Sequence, residues 1–460
     1  MDIKDWKNIQ RQKPLANYAH FDYRVSLDQC WNYISDPEKV AHHGFYPFIH
    51  YTIKSRKVKK GKSSGIKKRD IYYSAHLDGW IYKYYAYQLN EIYNLRVEQD
   101  NLGEAAVAYR IDLKKSNIHF ARDAFKFIKR LGSCYVMIGD FTNFFDTLDH
   151  VYLKQRICDL LNVKFLPQDY YAVFKNVTRF SYFDLDDLLH LNSIENNRIG
   201  RKELNKKSKV LSNEEFHKYK DILHQNPGHT AGVPQGSPIS AVFANIYMLL
   251  ADKQLHDYVA EHNGFYMRYS DDFMIVLPDQ GNSMFSIQYE YIKHIIGSIP
   301  NLNLQESKTK LFHVVDQTVT NCSQEYMDNI INGKNEIDFL GFTYNGKTVT
   351  IRDKTLSKYY HRMYRKMKTI VANKGISKYG NVISCKNLYN RYSYKGTVRY
   401  QKRKAKENGE QADNNQIKGN FIDYVNRSHE IFKTESIYHG TKRHMQKIRK
   451  YLKKIPERHN

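Results

Sequence analysis

The sequence predicts an α+β fold built from more than one domain. The chain has 460 residues, a length that corresponds to about three domains of ordinary size. Apolar residues recur on one helical face over 117–130, which predicts an amphipathic helix. Strand patterns stand beside it: 135–139 is typical of a buried strand, and 265–277 has two apolar runs that flank Ser270-Asp271-Asp272, as in a hairpin.

Two further helices are predicted ahead of the hairpin. The aromatic-rich segment 81–93 has apolar positions that fit a helix better than a strand. Later in the chain, Ser237 is a good N-cap and Pro238 suits the first helical position. A helix is therefore expected to run from these residues towards Leu250.

The remaining segments are interpreted from their polarity. Residues 191–228 are rich in Asn, Lys and Glu, which predicts a surface insertion, and 400–419 is the clearest candidate for a linker. In the last part of the chain, 357–372 and 439–454 combine basic faces with apolar positions at helical spacing. Both are therefore expected to be helices.

The positive charge of the chain is concentrated in its last quarter. Lys and Arg total 72 against 48 Asp and Glu, which gives a net charge of +24. Residues 351–460 hold 28 of the basic and only 8 of the acidic residues, so the first 350 residues are nearly neutral. Such an imbalance would repel itself without a counter-charge, so we expect a polyanionic partner, either a nucleic acid or an anionic membrane. Aromatic residues reach 14%, enough for a core, which excludes a wholly disordered protein.

Signals for secretion, membrane insertion and disulfide formation are missing from the sequence. The polar start of the chain lacks the apolar core of a signal peptide, and no window approaches the roughly 18–20 apolar residues of a membrane span. The 5 cysteines are scattered, with no C-x-x-C pair, so we expect reduced thiols and neither a disulfide framework nor a zinc site. A cytoplasmic location is therefore predicted.

Three carboxylates are candidates for a metal site. Asp140 ends the apolar run YVMIG, so a buried strand would carry its side chain to the edge of a sheet. Asp271 and Asp272 lie at the predicted hairpin turn, where Asp is also common for purely structural reasons. Clustered carboxylates beside a buried sheet repel each other, and a bound cation would offset that cost. Oxygen ligands select hard ions, which predicts two Mg²⁺ ions, with Mn²⁺ as the alternative, and such a pair suits in-line phosphoryl transfer.

A second cluster, GVPQGSPIS at 232–240, follows the polar insertion. Its two glycines allow the backbone to approach a flat ligand closely, and Gln235 offers both a hydrogen-bond donor and an acceptor. An ordinary loop before a capped helix explains the same residues equally well.

Three segments, taken in order, resemble the palm motifs of reverse transcriptases. They are DFTNFFD (140–146), GVPQGSPIS (232–240) and YSDD (269–272). The tetrapeptide alone is weak evidence, but the three motifs together, at plausible spacing, resemble the family closely.

Further matches extend the resemblance on both sides. LNLQESKT at 302–309 resembles the family's next palm motif, and FLGF at 339–342 resembles its primer-grip turn. Upstream, Lys62 and Arg69, followed by the AYR segment at 108–110, resemble the fingers motifs.

The resemblance implies a catalytic site with bound metal. The metal-binding residues would be Asp140, Phe141, Asp271 and Asp272. The three aspartates would be catalytic together with Lys308, which would protonate the leaving pyrophosphate. A solvated side chain in a Lys-rich stretch is the alternative for Lys308.

The resemblance also implies a nucleotide site and a nucleic-acid site. The nucleotide would be held by Lys62, Arg69, Phe145 and Gln235, and the nucleic acid by Arg110, Tyr269, Leu340 and Gly341. Phe145 matches a steric gate, where a bulky ring would clash with a 2′-hydroxyl and favour dNTPs over NTPs; a core aromatic is the alternative. Arg69 would grip the triphosphate, whereas Lys62 lies in a stretch that is basic throughout and could simply be solvated.

The chain also departs from parts of the family. No Cys/His cluster follows the polymerase region, unlike the endonuclease of mobile group II introns, and the last 110 residues hold too few acids for an RNase H-like set. The segments FDYRVSLDQCW (21–31), HHGFYPFIH (42–50) and YRIDLKKSNIHFA (109–121) resemble bacterial defence-associated reverse transcriptases most. That resemblance implies a role in antiphage defence and an associated non-coding RNA.

The resemblance implies a right-hand polymerase. Its parts would be an N-terminal extension over 1–59, fingers over 60–134, a palm with an antiparallel sheet and helices over 135–345, and a basic helical thumb over 350–460. The expected activity is RNA-directed DNA synthesis, a nucleotidyl transfer in which a primer 3′-hydroxyl attacks the dNTP α-phosphate. The expected partners are an RNA template, dNTPs and the DNA product, without a membrane.

Three alternatives stay open at this point. A retron-type or intron-derived reverse transcriptase would share the palm. An RNA polymerase is disfavoured by the aromatic ring of Phe145. A non-catalytic RNA-binding effector on a polymerase scaffold is disfavoured by the intact set of aspartates.

Overall fold

The computed structural model describes most of the chain. The described residues are 1–59, 62–226, 230–328, 330–376, 385–397 and 419–455. Within them, nothing is stated of the side chains at 56–59, 62–64 and 386. All but the last residue of the predicted linker at 400–419 lies outside the described residues.

Helices and strands both occur in the described chain, so the predicted α+β class is confirmed. The helices are α1 (Ile3–Arg11), α2 (Leu27–Ile34), α3 (Pro37–Ala41), α4 (His76–Gln99), α5 (Asn117–Leu131), α6 (His150–Leu161), α7 (Gln168–Thr178), α8 (Leu185–Leu191), α9 (Arg198–Leu204), α10 (Asn213–Lys218), α11 (Ser240–Glu261), α12 (Asn282–Gly297), α13 (Ser323–Tyr326), α14 (Asp353–Ala372), α15 (Lys386–Tyr392), α16 (Phe421–Phe432) and α17 (His444–Leu452). The strands are β1 (Phe48–Lys59), β2 (Lys62–Tyr73), β3 (Cys134–Asp140), β4 (Ser181–Asp184), β5 (His224–Gln225), β6 (Phe265–Tyr269), β7 (Asp272–Pro278), β8 (Lys310–Val315), β9 (Thr318–Asn321), β10 (Ile337–Phe339), β11 (Phe342–Tyr344) and β12 (Val349–Ile351).

A five-stranded antiparallel sheet in the order β6-β7-β3-β8-β9 forms the centre of the fold. Successive residues of β3 are buried on opposite faces: Tyr135 and Met137 join the core that holds α11 and α12, whereas Val136 and Ile138 join the core beneath α5. A strand covered on both faces needs a continuous apolar run, which is what the sequence has here. The predicted buried strand and the predicted hairpin are both confirmed.

The predicted helices at 81–93 and 117–130 are confirmed as parts of α4 and α5. The predicted start of α11 is wrong, because that helix begins at Ser240 rather than at Pro238. The Ser240 hydroxyl donates to the Pro234 carbonyl oxygen at 2.8 Å, which keeps the preceding residues in a turn. The helix then runs to Glu261, well beyond the predicted end near Leu250.

A second sheet, in the order β2-β1-β4-β5, contains the long β1–β2 hairpin, with β4 parallel to β1. The predicted polar insertion at 191–228 lies beside this sheet and contains α9, α10 and β5. It is more than a solvated surface segment, because Leu204, Val210 and Leu211 are buried together with Phe183. A few apolar residues within the polar stretch suffice to attach it to the sheet.

Four helices pack around a small core in the last part of the chain. Residues of α14, α15, α16 and α17 form this core, and α14 contains the predicted helix at 357–372. The predicted helix at 439–454 is shorter than expected, because it begins only at His444. The residues before it, 439–443, form turns, and a side chain at Gly440 would collide with Leu356. None of the helices in the described part of the chain has the length and apolar character needed to cross a membrane.

The small sheet β10-β11-β12 follows the central sheet in the chain. Leu340 and Gly341 connect β10 to β11, and both have a positive φ, 46° and 94°. Two left-handed residues in a two-residue turn match the twist of the flanking strands, so glycine is favoured at the second position.

We expect Gly139→Ala to lower the free energy of unfolding by about 1–3 kcal/mol, because of overpacking. A methyl group on Gly139 of β3 would lie 2.2 Å from the ring of Phe273, which is fully buried in β7. Urea denaturation of the purified chain would measure the change. Gly297→Ala is the control, since no heavy atom lies within 4 Å of its added methyl group; equal midpoints for the two variants would contradict the expectation.

Candidate active site

Three carboxylates meet at one edge of the central sheet. Asp140 ends β3 and is paired in register with Asp272, the first residue of β7. Asp271 lies in the turn before it, and its carbonyl oxygen accepts a hydrogen bond from the Phe141 amide at 3.3 Å. The structure therefore brings together the four residues that the sequence predicts as the metal site.

The carboxylates are crowded enough to perturb each other. Desolvation, followed by repulsion from Asp271 and Asp140, raises the pKa of Asp272 to about 6. The Lys308 ammonium group lies 2.9 Å from both carboxylate oxygens of Asp140. Excess negative charge that attracts a cation, on oxygen ligands alone, fits Mg²⁺ or Mn²⁺.

A loop over 302–309 places Lys308 at this edge. The amide of Gln305 donates to the Asp140 carbonyl oxygen at 2.8 Å, and the amide of Thr142 donates to the Asn303 carbonyl oxygen at 2.9 Å. These backbone bonds extend the end of β3 into the loop. The Lys308 side chain is about half exposed but paired with Asp140, so its predicted catalytic role stays a prediction.

A buried ion pair supports the turn that carries Asp271. Arg268 is fully buried in β6 and contacts Asp252 of α11 at 2.6 and 2.8 Å. It also donates to the Ser270 carbonyl oxygen at 3.1 Å, and Ser270 has a left-handed φ of 62°. A strained residue persists only where its surroundings fix it, and Arg268 supplies part of that support.

The same hydrogen-bond network includes the loop that contains Ala108 and Tyr109. Asn245 of α11 donates to the Ala108 carbonyl oxygen at 3.0 Å, while its own side-chain oxygen lies 3.4 Å from the Arg268 guanidinium. The Tyr109 and Ser270 hydroxyls are 2.9 Å apart. Sequence reasoning missed this network. Its available signal was a lone Arg in an apolar strand, together with Asn245 and Asp252 two helical turns apart on a largely apolar helix.

Two cationic side chains of β2 contribute positive charge near the three carboxylates. Lys67 and Arg69 are two residues apart, so they lie on one face of the strand. Partial burial and the nearby Arg69 and Lys308 lower the pKa of Lys67, although Asp140 and Asp271 act in the opposite direction. Sequence reasoning missed Lys67, and its spacing from Arg69 was the available signal.

Lys62, the other lysine predicted for the nucleotide site, begins β2, but its side chain lies outside the described residues.

The loop before α11 docks on the end of β2. The Tyr72 amide donates to the Gln235 carbonyl oxygen at 2.8 Å. Gly236 has a φ of 119°, and any side chain there would collide with the Tyr72 carbonyl oxygen, which explains a glycine at this position. The Gln235 side chain approaches the Asp146 carboxylate at 3.5 Å. Gln235 thus connects the end of β2 to the segment that follows β3.

Phe144 and Phe145 have separate environments. Phe144 is buried and its ring packs 5.6 Å from that of Phe141, whereas Phe145 is only half-buried. The Phe145 carbonyl oxygen accepts a hydrogen bond from the Val233 amide at 2.9 Å, which connects Phe145 to the loop that contains Gln235. Phe144 therefore fills the core position, and the Phe145 ring is left with partial access to solvent.

The residues predicted to contact nucleic acid are placed differently from one another. The Leu340 carbonyl oxygen accepts from the Asn117 side chain at 2.9 Å, so the Leu340-Gly341 turn is fastened to α5. Tyr269 is half-buried at the end of β6. Arg110 requires a correction: its guanidinium is buried and bound to Asp112 at 2.6 Å, so it holds its own loop rather than facing a ligand.

A model of one protein family matches the chain over residues 84–344, more than half of its length. The family is described as "Reverse transcriptase (RNA-dependent DNA polymerase)". The matched segment contains the three aspartates, Gln235 and Lys308. Together with the α+β architecture, this match confirms the predicted right-hand polymerase fold. No curated protein matches the chain.

Solved telomerase structures resemble the chain more distantly. Apo telomerase from Candida tropicalis, truncated from the C-terminal domain, has 14% identity and a TM-score of 0.39 over 72% of this chain and 61% of that one. Telomerase from Candida albicans in complex with a TWJ fragment of telomeric RNA has 14% identity and a TM-score of 0.36, over 93% and 66%. The chain thus spans less than two thirds of these proteins.

We expect Arg268→Met to lower the free energy of unfolding by about 3–5 kcal/mol, because it leaves the Asp252 carboxylate buried without its charged partner. The double variant Arg268→Met/Asp252→Leu removes both charges and should recover much of that loss. Urea denaturation would measure both.

Arg122→Met is the control for this experiment, because it removes an exposed partner of Asp123 and should cost less than about 1 kcal/mol. A double variant no more stable than Arg268→Met would argue against the buried charge as the cause.

Proposed function

The chain belongs to the reverse transcriptase family, and on that premise we propose that it is an RNA-directed DNA polymerase. The observation that carries the proposal is the meeting of Asp140, Asp271 and Asp272 at one sheet edge, inside the segment that matches the family. Three carboxylates beside one ammonium group suit a reaction in which negative charge builds up on phosphoryl oxygens.

Divalent cations bound by the three aspartates would stabilise the attacking and leaving oxygens of the phosphoryl transfer. The protein's own contribution is placement: paired strands fix Asp140 opposite Asp272, and Arg268 holds the turn that carries Asp271. Lys308, which donates to Asp140, is the group that would give a proton to the departing pyrophosphate.

We place the triphosphate of the nucleotide against Lys67 and Arg69 of β2. Both cations lie on one face of the hairpin, and Lys67 is electrostatically linked to Asp140 and Asp271. Gln235 would support the base of the nucleotide. The half-buried ring of Phe145 would exclude a 2′-hydroxyl, so dNTPs are the expected substrates.

The proposed domains are those the sequence suggested, with one refinement. Because β1 pairs with β2 along its length, the fingers hairpin starts at Phe48, within the proposed N-terminal extension 1–59. The palm would span 135–345 and the thumb 350–460. The thumb's net charge of +20 would hold the template–primer duplex, with Tyr269 and the Leu340-Gly341 turn near the primer end.

The finer assignment is bacterial antiphage defence with an associated non-coding RNA as template, in the cytoplasm. Three segments support it: FDYRVSLDQCW (21–31), HHGFYPFIH (42–50) and YRIDLKKSNIHFA (109–121). Sequencing the RNA and DNA bound to the chain purified from its host would separate this assignment from a retron-type or intron-derived enzyme.

Changing Asp271 and Asp272 together to Ala should reduce RNA-templated DNA synthesis by at least about 1,000-fold, because the variant loses most of the charge that would bind metal. Extension of a labelled primer on an RNA template would measure the loss. Asp257→Ala, on the surface of α11, is the matched control. Undiminished synthesis would contradict the proposal, whereas RNA binding retained without synthesis in the wild type would favour the effector.

Lys67→Ala should lower kcat/KM for dNTPs by about 10–100-fold, the range expected when a hydrogen bond to a charged group is lost. Lys68→Ala is the matched control, because its side chain lies on the opposite face of the same strand. Steady-state extension at varied dNTP concentration would measure both. Equal losses in the two variants would indicate a general effect of basic charge on nucleic-acid binding instead.

A further inference from the structure

A cluster of potential metal ligands lies on the β2-β1-β4-β5 sheet, away from the three catalytic aspartates. Asp184 ends β4, Asp187 lies in the first turn of α8, and His224 begins β5. Two carboxylates and one imidazole offer ligand atoms that all lie within 4.8 Å of one another. Ligands on a tetrahedral zinc are about 3.3–3.5 Å apart, so small side-chain rotations would close the set around an ion.

Outer hydrogen bonds already orient one of these ligands. His50 of β1 bonds the Asp184 carboxylate through Nδ1 and the Asp70 carboxylate through Nε2, the latter at 3.1 Å. Asp70 in turn accepts from the Thr52 hydroxyl at 2.7 Å. Support of this kind behind a ligating carboxylate is typical of metal sites, where it fixes the ligand's orientation.

The imidazole of the cluster is oriented as well. The ring of His224 stacks on Tyr182 with 5.2 Å between the centroids and an angle of 21° between the planes. Its Nε2 lies 3.5 Å from the Asp184 carboxylate. The same nitrogen therefore already points into the group of carboxylate oxygens.

The two carboxylates lack a lysine or arginine partner. Within the described ranges, no Lys or Arg nitrogen lies within 4.0 Å of Asp184 or Asp187, although the chain carries a net charge of +24. Their neighbour Asp186 differs, because Arg201 lies 3.8 Å from it. The groups that contact the Asp184 carboxylate in the described part of the chain are the imidazoles of His50 and His224, so a bound cation would further offset the repulsion between the two carboxylates.

We propose that Asp184, Asp187 and His224 bind one Zn²⁺ ion, with His50 and Asp70 as the supporting shell. Carboxylate oxygen and imidazole nitrogen together suit zinc better than Mg²⁺, which prefers oxygen ligands alone. The ion would join β4 and α8 to β5, a strand of only two residues. It would therefore fasten the insertion at 191–228 to β4 and α8.

The test first measures how much zinc stays bound to the full chain after dialysis. Calorimetric titration with ZnCl₂ then measures the affinity of the chain for zinc, and both measurements are made in millimolar Mg²⁺. All variants are made in a background protein that carries Asp271→Asn/Asp272→Asn, because these changes weaken zinc binding at the site that includes Asp140. We expect one zinc per chain. Asp187→Asn and His224→Gln should each weaken its binding at least about tenfold, because each removes one ligand.

Asp186→Asn is the matched control, since it makes the same charge change one residue away on a side chain bound to Arg201. It should bind zinc like the background protein, and zinc should raise its melting temperature but not that of Asp187→Asn. No stoichiometric zinc in the background protein would overturn the proposal. So would an equal loss of affinity in Asp186→Asn and Asp187→Asn.

Discussion

Repulsion among three carboxylates at one edge of a buried sheet is the constraint on which the rest of the structure depends. Strand pairing forces Asp140 and Asp272 together, and the strained Ser270 turn brings Asp271 beside them. Such an arrangement is costly unless rigid elements hold it and cations surround it. The buried Arg268–Asp252 ion pair makes the turn rigid. Lys308 and the Lys67 side chain of β2 supply positive charge near the carboxylates.

Rigid support and positive charge come from different parts of the chain for a physical reason. A buried ion pair is expensive to desolvate and gains little stability over apolar packing, but it specifies one geometry when every donor has an acceptor. Arg268 meets that condition through Asp252, Asn245 and the Ser270 carbonyl oxygen. Lys308 and the cations of β2 are instead accessible to solvent, so under the proposed function they would be free to contact a substrate. They accordingly sit on a solvent-facing hairpin and a loop.

The sequence predicted those features that local pattern controls. Apolar runs predicted β3 and the β6–β7 hairpin, and helical periodicity predicted α4 and α5. An element that buries one face or both leaves a repeating apolar pattern within a few neighbouring residues, so its sequence alone reveals it. The start of α11 was wrong, since a hydroxyl contact to Pro234 overrides the capping signal. Arg110 was misplaced for a similar reason: its partner, Asp112, competes with any ligand, and burial is not visible in composition.

Contacts between distant residues decide the rest, and the two carboxylate clusters show why. The aspartates of the central sheet were recognisable because long apolar runs flank them, so burial and charge conflict within a few residues of sequence. His50 and Asp184 are 134 positions apart in the sequence, and the residues around each of them do not identify the other as its partner. Only the pairing of β1 with β4 puts them together. Local spacing therefore identifies Asp271 and Asp272 on one hairpin, but it does not reveal the proposed zinc site, whose residues lie on β4, α8 and β5.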